Sequence, residues 1–218
     1  MSKNPVIIFE GIEASGKSTN LDIASKYLKK RRKKYIKLRE PGGSRFSEKI
    51  RKILLNKNYK LDHKTDLLLF LASRSENFQK IIKRNYKKRV ILIDRFIDST
   101  IAYQHYGMNI NLNTIKTLNK FIIGNFKADI TFLSTVNVKN LRLRLNKRLK
   151  LNRYDKFKLK FYTKVQNGFL KQYKKNKKKY KIINSNLDIT ENKNIIIEKI
   201  KKLIWTIYNQ KIKPNFMV

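Results

Sequence analysis

The hydrophobic positions change period repeatedly along the chain. Val6-Ile7-Ile8-Phe9 is a short unbroken apolar run ending in Glu10-Gly11, the pattern of a strand buried on both faces. From about Lys17 to Arg32 the spacing becomes helical, with Leu21, Ala24 and Leu28 on one face. Tyr35-Ile36-Lys37-Leu38 alternates as a second strand, and Pro41-Gly42-Gly43 breaks it. Ser47–Leu55 and Lys64–Asn85 read as helices. Val90-Ile91-Leu92-Ile93, closed by Asp94, is a third buried strand. Helical spacing returns over roughly Ser99–Gly124. Ile130-Thr131-Phe132-Leu133 is a fourth strand, Asn137–Phe169 a basic helical stretch, Tyr180–Asn184 a fifth strand and Glu191–Tyr208 a last amphipathic helix. Strands alternating with helices predict an α/β fold, a five-stranded parallel sheet with helices on both faces.

Composition sets bounds on this picture. Of 218 residues, 41% are apolar, enough for one sizeable core. Glycine (7) and proline (3) are scarce and no linker-like stretch appears, so residues 1–218 read as a single domain. No apolar run approaches the ~18 residues of a transmembrane helix, and Val6–Phe9 is too short for a signal-peptide core. The absence of cysteine excludes disulfides and thiolate metal sites and fits a cytoplasmic setting. With only His63 and His105, a multi-histidine zinc site is not expected. The net charge of +38 would attract anions, nucleic acid included. Lys, Asn and Ile are abundant throughout, however, so a general compositional bias accounts for the charge better than a dedicated nucleic-acid surface. The Lys171–Lys181 run reads as a solvated helix face or loop.

One motif carries chemistry. Gly11-Ile12-Glu13-Ala14-Ser15-Gly16-Lys17-Ser18 fits G-x-x-x-x-G-K-[ST] at every fixed position, between an apolar strand and a helix. Glycines let backbone amides wrap a phosphate, and the helix N-terminus adds positive potential. Lys17 can bridge β- and γ-phosphates, and the Ser18 hydroxyl can ligate Mg²⁺. Asp94, at the end of a buried strand, is the usual carboxylate beside phosphates and metal. Together these predict a P-loop NTPase fold that binds a nucleoside triphosphate with Mg²⁺. They leave the acceptor open.

Several separated blocks resemble the thymidylate kinase (dTMP kinase) family, in that family's order. Phe9–Thr19 is similar to its phosphate loop, including the internal acidic residue. Leu38-Arg39-Glu40-Pro41-Gly42-Gly43 resembles its second-strand exit loop, and Ser47–Leu55 the helix after it. Leu69-Phe70-Leu71-Ala72-Ser73-Arg74 resembles its base-contacting segment. Asp94-Arg95-Phe96 and Ser99-Thr100-Ile101-Ala102-Tyr103-Gln104 resemble its last two blocks. The resemblance implies phosphoryl transfer from ATP to dTMP on Mg²⁺, with Gly11 through Thr19 around ATP and Ser18 and Asp94 at the metal.

It also implies roles for single residues. Phe70 would stack on thymine and Arg74 would bond a thymine carbonyl. Ser99, Thr100 and Gln104 belong to the acceptor site, Thr100 or Gln104 reading the base edge, and Pro41 shapes the pocket wall. Arg95 and Arg51 would hold the acceptor phosphate; guanidinium forks suit phosphate geometry. For Arg95 the structural alternative is an ion pair with Asp94. Glu13 and Tyr103 would border the deoxyribose. A carboxylate inside a phosphate loop is electrostatically costly, so a sugar hydroxyl or nearby cations must offset Glu13.

Some family members carry a catalytic arginine in the phosphate loop and others in a mobile lid. Residues 12–15 contain no arginine, so the resemblance assigns that role to a basic helical lid at about 140–157, with Arg153 first and Arg148 second. It further implies a homodimer, with apolar faces near Leu67–Phe78 or Ser99–Phe121 as candidate contacts. Other readings are a related P-loop kinase with a different acceptor, such as a nucleoside, and a basic nucleic-acid-binding module.

Overall fold

The protein is described by a computed structural model covering residues 4–149 and 152–212. Lys150 and Leu151, inside the expected lid, and both ends of the 1–218 span lie outside the described residues. Strands β1 (Val6–Gly11), β2 (Tyr35–Arg39), β3 (Val90–Asp94), β4 (Ile130–Thr135) and β5 (Tyr180–Asn184) form one parallel sheet in the order β2-β3-β1-β4-β5. This is the sheet expected from the apolar runs.

The period-two alternation of β1 sorts its side chains onto two cores. Ile7 and Phe9 pack with Leu21, Ala24 and Leu28 of α1 (Lys17–Lys30) and with Ile196 and Ile200 of α9 (Ile189–Ile212). Val6 and Ile8 pack on the other face with Phe78, Ile82, Phe96 and Ile123. Leu28 is fully buried, so truncation to alanine costs about 2–5 kcal/mol.

The remaining helices are α2 (Arg45–Leu55), α3 (His63–Asn77), α4 (Lys83–Asn85), α5 (Ile97–Thr100), α6 (Leu112–Ile123), α7 (Val138–Asn146) and α8 (Leu159–Lys175). A π-helical turn, Phe78–Ile82, joins α3 to α4, so the helical path expected over 64–85 is continuous. Two expected helices are in fact broken. Residues 99–124 divide into α5, a π-helical turn (Ile101–Gly107) and α6. Asn109 has φ 61°, and the Asn111 side chain accepts from Asn113 N (2.8 Å) and Thr114 N (3.1 Å), starting a new helix. Residues 137–169 divide into α7, a 3-10 turn (Arg153–Lys156) and α8. Asn152 caps the turn, accepting from Tyr154 N at 2.8 Å while its own N–H donates to Asp155 Oδ2 at 2.8 Å. The lysines of the 171–181 run are exposed, as expected.

Helix α8 lies close against the 101–107 turn. A Cβ on Gly168 would stand 2.5 Å from the Tyr106 ring, and one on Gly107 2.7 Å from Phe161.

Register places the carboxyl ends of the central strands together. Phe9 pairs with Asp94 and Gly11 with Ser134, so the loops after β1, β3 and β4 leave one edge of the sheet side by side. Ligands of open α/β sheets bind at such an edge.

Candidate active site

The loop after β1 has the conformation that its glycines permit. Gly11 has φ 141°, and a Cβ there would strike the Ser134 carbonyl. Helix α1 begins with no side-chain cap and no acid in its first turn, which leaves its first N–H groups for an anion. The buried Lys17 ammonium bends back to donate to Ile12 O at 2.6 Å. Burial and the nearby Arg95 lower its pKa to about 8, against the opposing pull of Asp94, Glu13 and Glu10. A buried cation bonded only within its own loop is poised for polyphosphate. Ile12 and Ser15 are buried supports, the Ser15 hydroxyl also donating to Ile12 O (2.8 Å).

Beside the loop, Ser18 Oγ donates to Asp94 Oδ2 at 3.4 Å, and Asp94 Oδ1 is buried without a partner. An alcohol next to an unsatisfied carboxylate oxygen suits a hard cation with oxygen ligands. Among the described residues no cluster of three or more His, Cys, Asp or Glu could hold a metal by itself, so phosphate and water must complete any such shell.

Arg95 is the centre of the next layer. It follows β3 directly, with φ 68°. Its Nη1 donates to Gly11 O (2.9 Å) and Ser99 Oγ (3.2 Å), and its Nη2 to Glu13 Oε1 (2.7 Å). The ion pair is therefore with Glu13, not with Asp94. Tyr103 donates a short hydrogen bond to the other Glu13 oxygen. Burial alone would raise the Glu13 pKa, but Arg95 and Lys17 hold it below the usual carboxylate value. These two cations offset the cost that the sequence posed at this position.

Arg74 was unremarkable in sequence among so many basic residues. It is 1% exposed, and its side chain meets Glu40 Oε2 (2.7 Å), Thr100 Oγ1 (2.9 Å) and Asn119 Oδ1 (2.6 Å). Burial raises the Glu40 pKa, and the pull of Arg74 only partly restores it. The pair therefore orders Arg74 more than it stabilises the fold. Phe70 is half-buried, edge-on to Tyr154 at 6.1 Å. Arg51 Nη1 donates to Pro41 O at 2.7 Å, and the Glu40–Pro41 peptide is cis. Gln104 Nε2 donates to Asp66 Oδ2 at 2.9 Å.

One cavity of about 600 Å³ joins these layers. It is lined by Lys17, Ser18, Thr19 and Asp94 at one end and by Pro41, Phe70, Arg74, Thr100 and Gln104 at the other. Glu13, Arg51, Arg95, Ser99 and Tyr103 also line it. Arg153 does not. It donates to Leu54 O (2.9 Å) and pairs with Asp66, so the guanidinium of the first lid candidate is engaged outside the cavity lining. Arg148, paired with Asp155, does line the cavity. So does Arg144, which donates to Ala14 O (3.1 Å) and Ser185 O (2.6 Å).

Sequence reasoning gave no role to Glu40, Asn119, Asp66, Arg144 or Ser185. Asp66 left one signal, an acid among the apolar positions of a helix in an acid-poor chain. Arg144 left none within a run of basic residues.

A sequence model of the family described as Thymidylate kinase matches residues 9–196. The chain is 45% identical to the thymidylate kinase of Thermosipho africanus over 76% of its length and 82% of that protein. It is 37% identical to the thymidylate kinase of Kosmotoga olearia over 84% and 88%, respectively. The crystal structure of thymidylate kinase from Ehrlichia chaffeensis superposes with a TM-score of 0.74 at 34% identity, covering 91% of this chain and 98% of that one. The sheet order, the phosphate loop and the arginine-lined cavity agree with that likeness: the chain belongs to the thymidylate kinase family.

Proposed function

We propose that the protein transfers the γ-phosphoryl group of ATP to the phosphate of dTMP, forming ADP and dTDP. The observation that carries this reading is the continuous cavity, with a phosphate loop at one end, a buried arginine and a half-buried phenylalanine at the other, and Arg95 between them.

In the reaction an oxygen of the acceptor phosphate attacks the γ-phosphorus, and the bond to the β–γ bridging oxygen breaks. The acceptor is already anionic, so no strong base is needed. The protein contributes positioning and fixed positive charge. The loop amides of residues 11–19 and Lys17 hold the donor phosphates. Arg95 and Arg51 hold the acceptor phosphate. Glu13, Gly11 O and Ser99 fix the Arg95 guanidinium before substrate arrives, so little reorganisation remains. Ser18 and Asp94 would hold Mg²⁺, which when bound neutralises phosphate oxygens. At the base, Phe70 offers a face to the pyrimidine, Arg74 a donor to its carbonyl, and Thr100, Gln104 and Pro41 complete the pocket. Glu13 and Tyr103 border the sugar. Arg148, with Arg144 beside it, takes the lid role first given to Arg153, because both line the cavity.

The reading extends to a single catalytic domain with a lid near 140–157, working as a cytoplasmic homodimer. Leu68 (57% exposed) and Phe121 (87% exposed) supply apolar surface on α3 and α6 for the dimer. No helix among the described residues is long and apolar enough to cross a membrane.

A panel of nucleoside monophosphates and thymidine with ATP and Mg²⁺ tests the function. dTDP formation is expected, with dUMP a poorer acceptor and AMP and GMP negligible. Silence across all the monophosphates overturns the reading, and preference for thymidine reassigns the acceptor.

A further inference from the structure

Asp66 is fully buried in the first turn of α3 and takes no part in the chemistry above. Both of its oxygens are occupied. Oδ1 accepts from Arg153 and from the Tyr154 hydroxyl (2.8 Å), and Oδ2 from Gln104 (2.9 Å) and the same hydroxyl (2.8 Å). One carboxylate thus ties together three segments distant in sequence: the 153–156 turn at the root of the lid, the 101–107 turn that carries Tyr103 and Gln104, and the helix that carries Phe70 and Arg74.

The tie reaches both ends of the cavity. On the acceptor side, the Tyr154 ring stands edge-on to Phe70 at 6.1 Å and to Tyr103 at 5.9 Å. On the lid side, the same short turn contains Asp155, which pairs with Arg148. An apolar side chain at position 66 would fill a buried site at less desolvation cost than a carboxylate, so stability alone does not account for an acid there. We propose that Asp66 is a positioning residue that locks the lid root onto the acceptor pocket. Closure of Tyr154 against the base site and presentation of Arg148 to the phosphates then become one event. The inference rests on the dTMP kinase reading.

The test measures dTDP and ADP formation by the full chain and by two variants, Asp66→Asn and Tyr154→Phe, the second removing only the hydroxyl. Asp66→Asn is expected to raise the dTMP KM about tenfold and lower kcat, with the ATP KM within about threefold of wild type. It should also raise severalfold the ADP formed without dTDP, because a lid no longer tied admits water. Tyr154→Phe should shift the same quantities in the same direction by less, and it decides the matter if Asp66→Asn does not fold. Wild-type dTMP KM and wild-type ADP:dTDP ratio in the folded variants overturn the inference. So does a lower kcat with both of those unchanged, which marks loss of folded protein only. A wild-type chain that forms no dTDP instead overturns the parent reading.

Discussion

The two ends of the cavity are built in different ways. The donor end is one contiguous run, and its internal bonds are short in sequence: Lys17 and Ser15 reach Ile12, five and three residues away. The acceptor end draws on pairs up to 90 residues apart, such as Arg74 with Glu40 and Tyr103 with Glu13. The first end offers backbone amides and a single charged lysine. At the second, the donors are side chains, and Arg74, Arg95 and Gln104 are each aimed by a carboxylate. The donor end should therefore fail in turnover when its one charged side chain is lost. The acceptor end should fail one function at a time, with stability and recognition separable.

The sharpest break is Lys17→Ala. It removes the only side-chain cation of residues 11–19, and kcat should fall about 10³-fold or more with thermal stability little changed. Retention of most activity would remove the donor end from the chemistry. Glu40→Ala attacks the other end through its support. It strands a buried guanidinium, so about 3 kcal/mol of stability should disappear, read from urea unfolding, together with a raised dTMP KM.

Glu10 probes the joint between the two ends. It is buried at the end of β1 and accepts from Phe96 N (2.7 Å) and Ser99 N (3.2 Å), thereby holding the segment that carries Arg95. Burial, then the neighbouring Asp98, raises its pKa from 4.5 to about 7. A carboxyl raised on folding favours the native state at low pH, and that contribution is lost as pH climbs through the folded value. Between pH 4.5 and about 7 the wild type should lose of order 2 kcal/mol relative to Glu10→Gln, seen as diverging thermal-unfolding midpoints. Parallel curves would mean that the joint does not titrate. The mildest change is Phe70→Ala, which should raise the dTMP KM about tenfold while kcat and the ATP KM stay within a few-fold.

The same contrast explains what could be read from sequence. The conformation of the loop after β1 was legible because its motif is contiguous and its conformational demands fall on glycine. The five strands were legible because buried parallel strands are unbroken apolar runs. Arg74 and Arg51 had no local mark; only the family resemblance singled them out, and only three-dimensional packing supplies Glu40 and Asn119 as partners. Arg148 and Arg153 sit in one basic run, so sequence does not mark which of them lines the cavity; Asp66, 87 residues from Arg153, holds that arginine off the cavity wall. The breaks before α6 and before α8 lack a sequence mark for a different reason. Their stop signals are asparagines, Asn109, Asn111 and Asn152, in a chain where asparagine is common everywhere and so carries little information.

The interlock of α8 with the 101–107 turn has a consequence for how this chain tolerates change. Two of its seven glycines, Gly107 and Gly168, are there because even one methyl would push an aromatic ring aside, and the other five adopt positive φ. The bias that fills the rest of the chain with bulkier residues stops where hard-sphere overlap begins. A saturation library should therefore show broad permissiveness over the lysine-covered exterior, and narrow, size-graded intolerance at these two contacts, with alanine already failing.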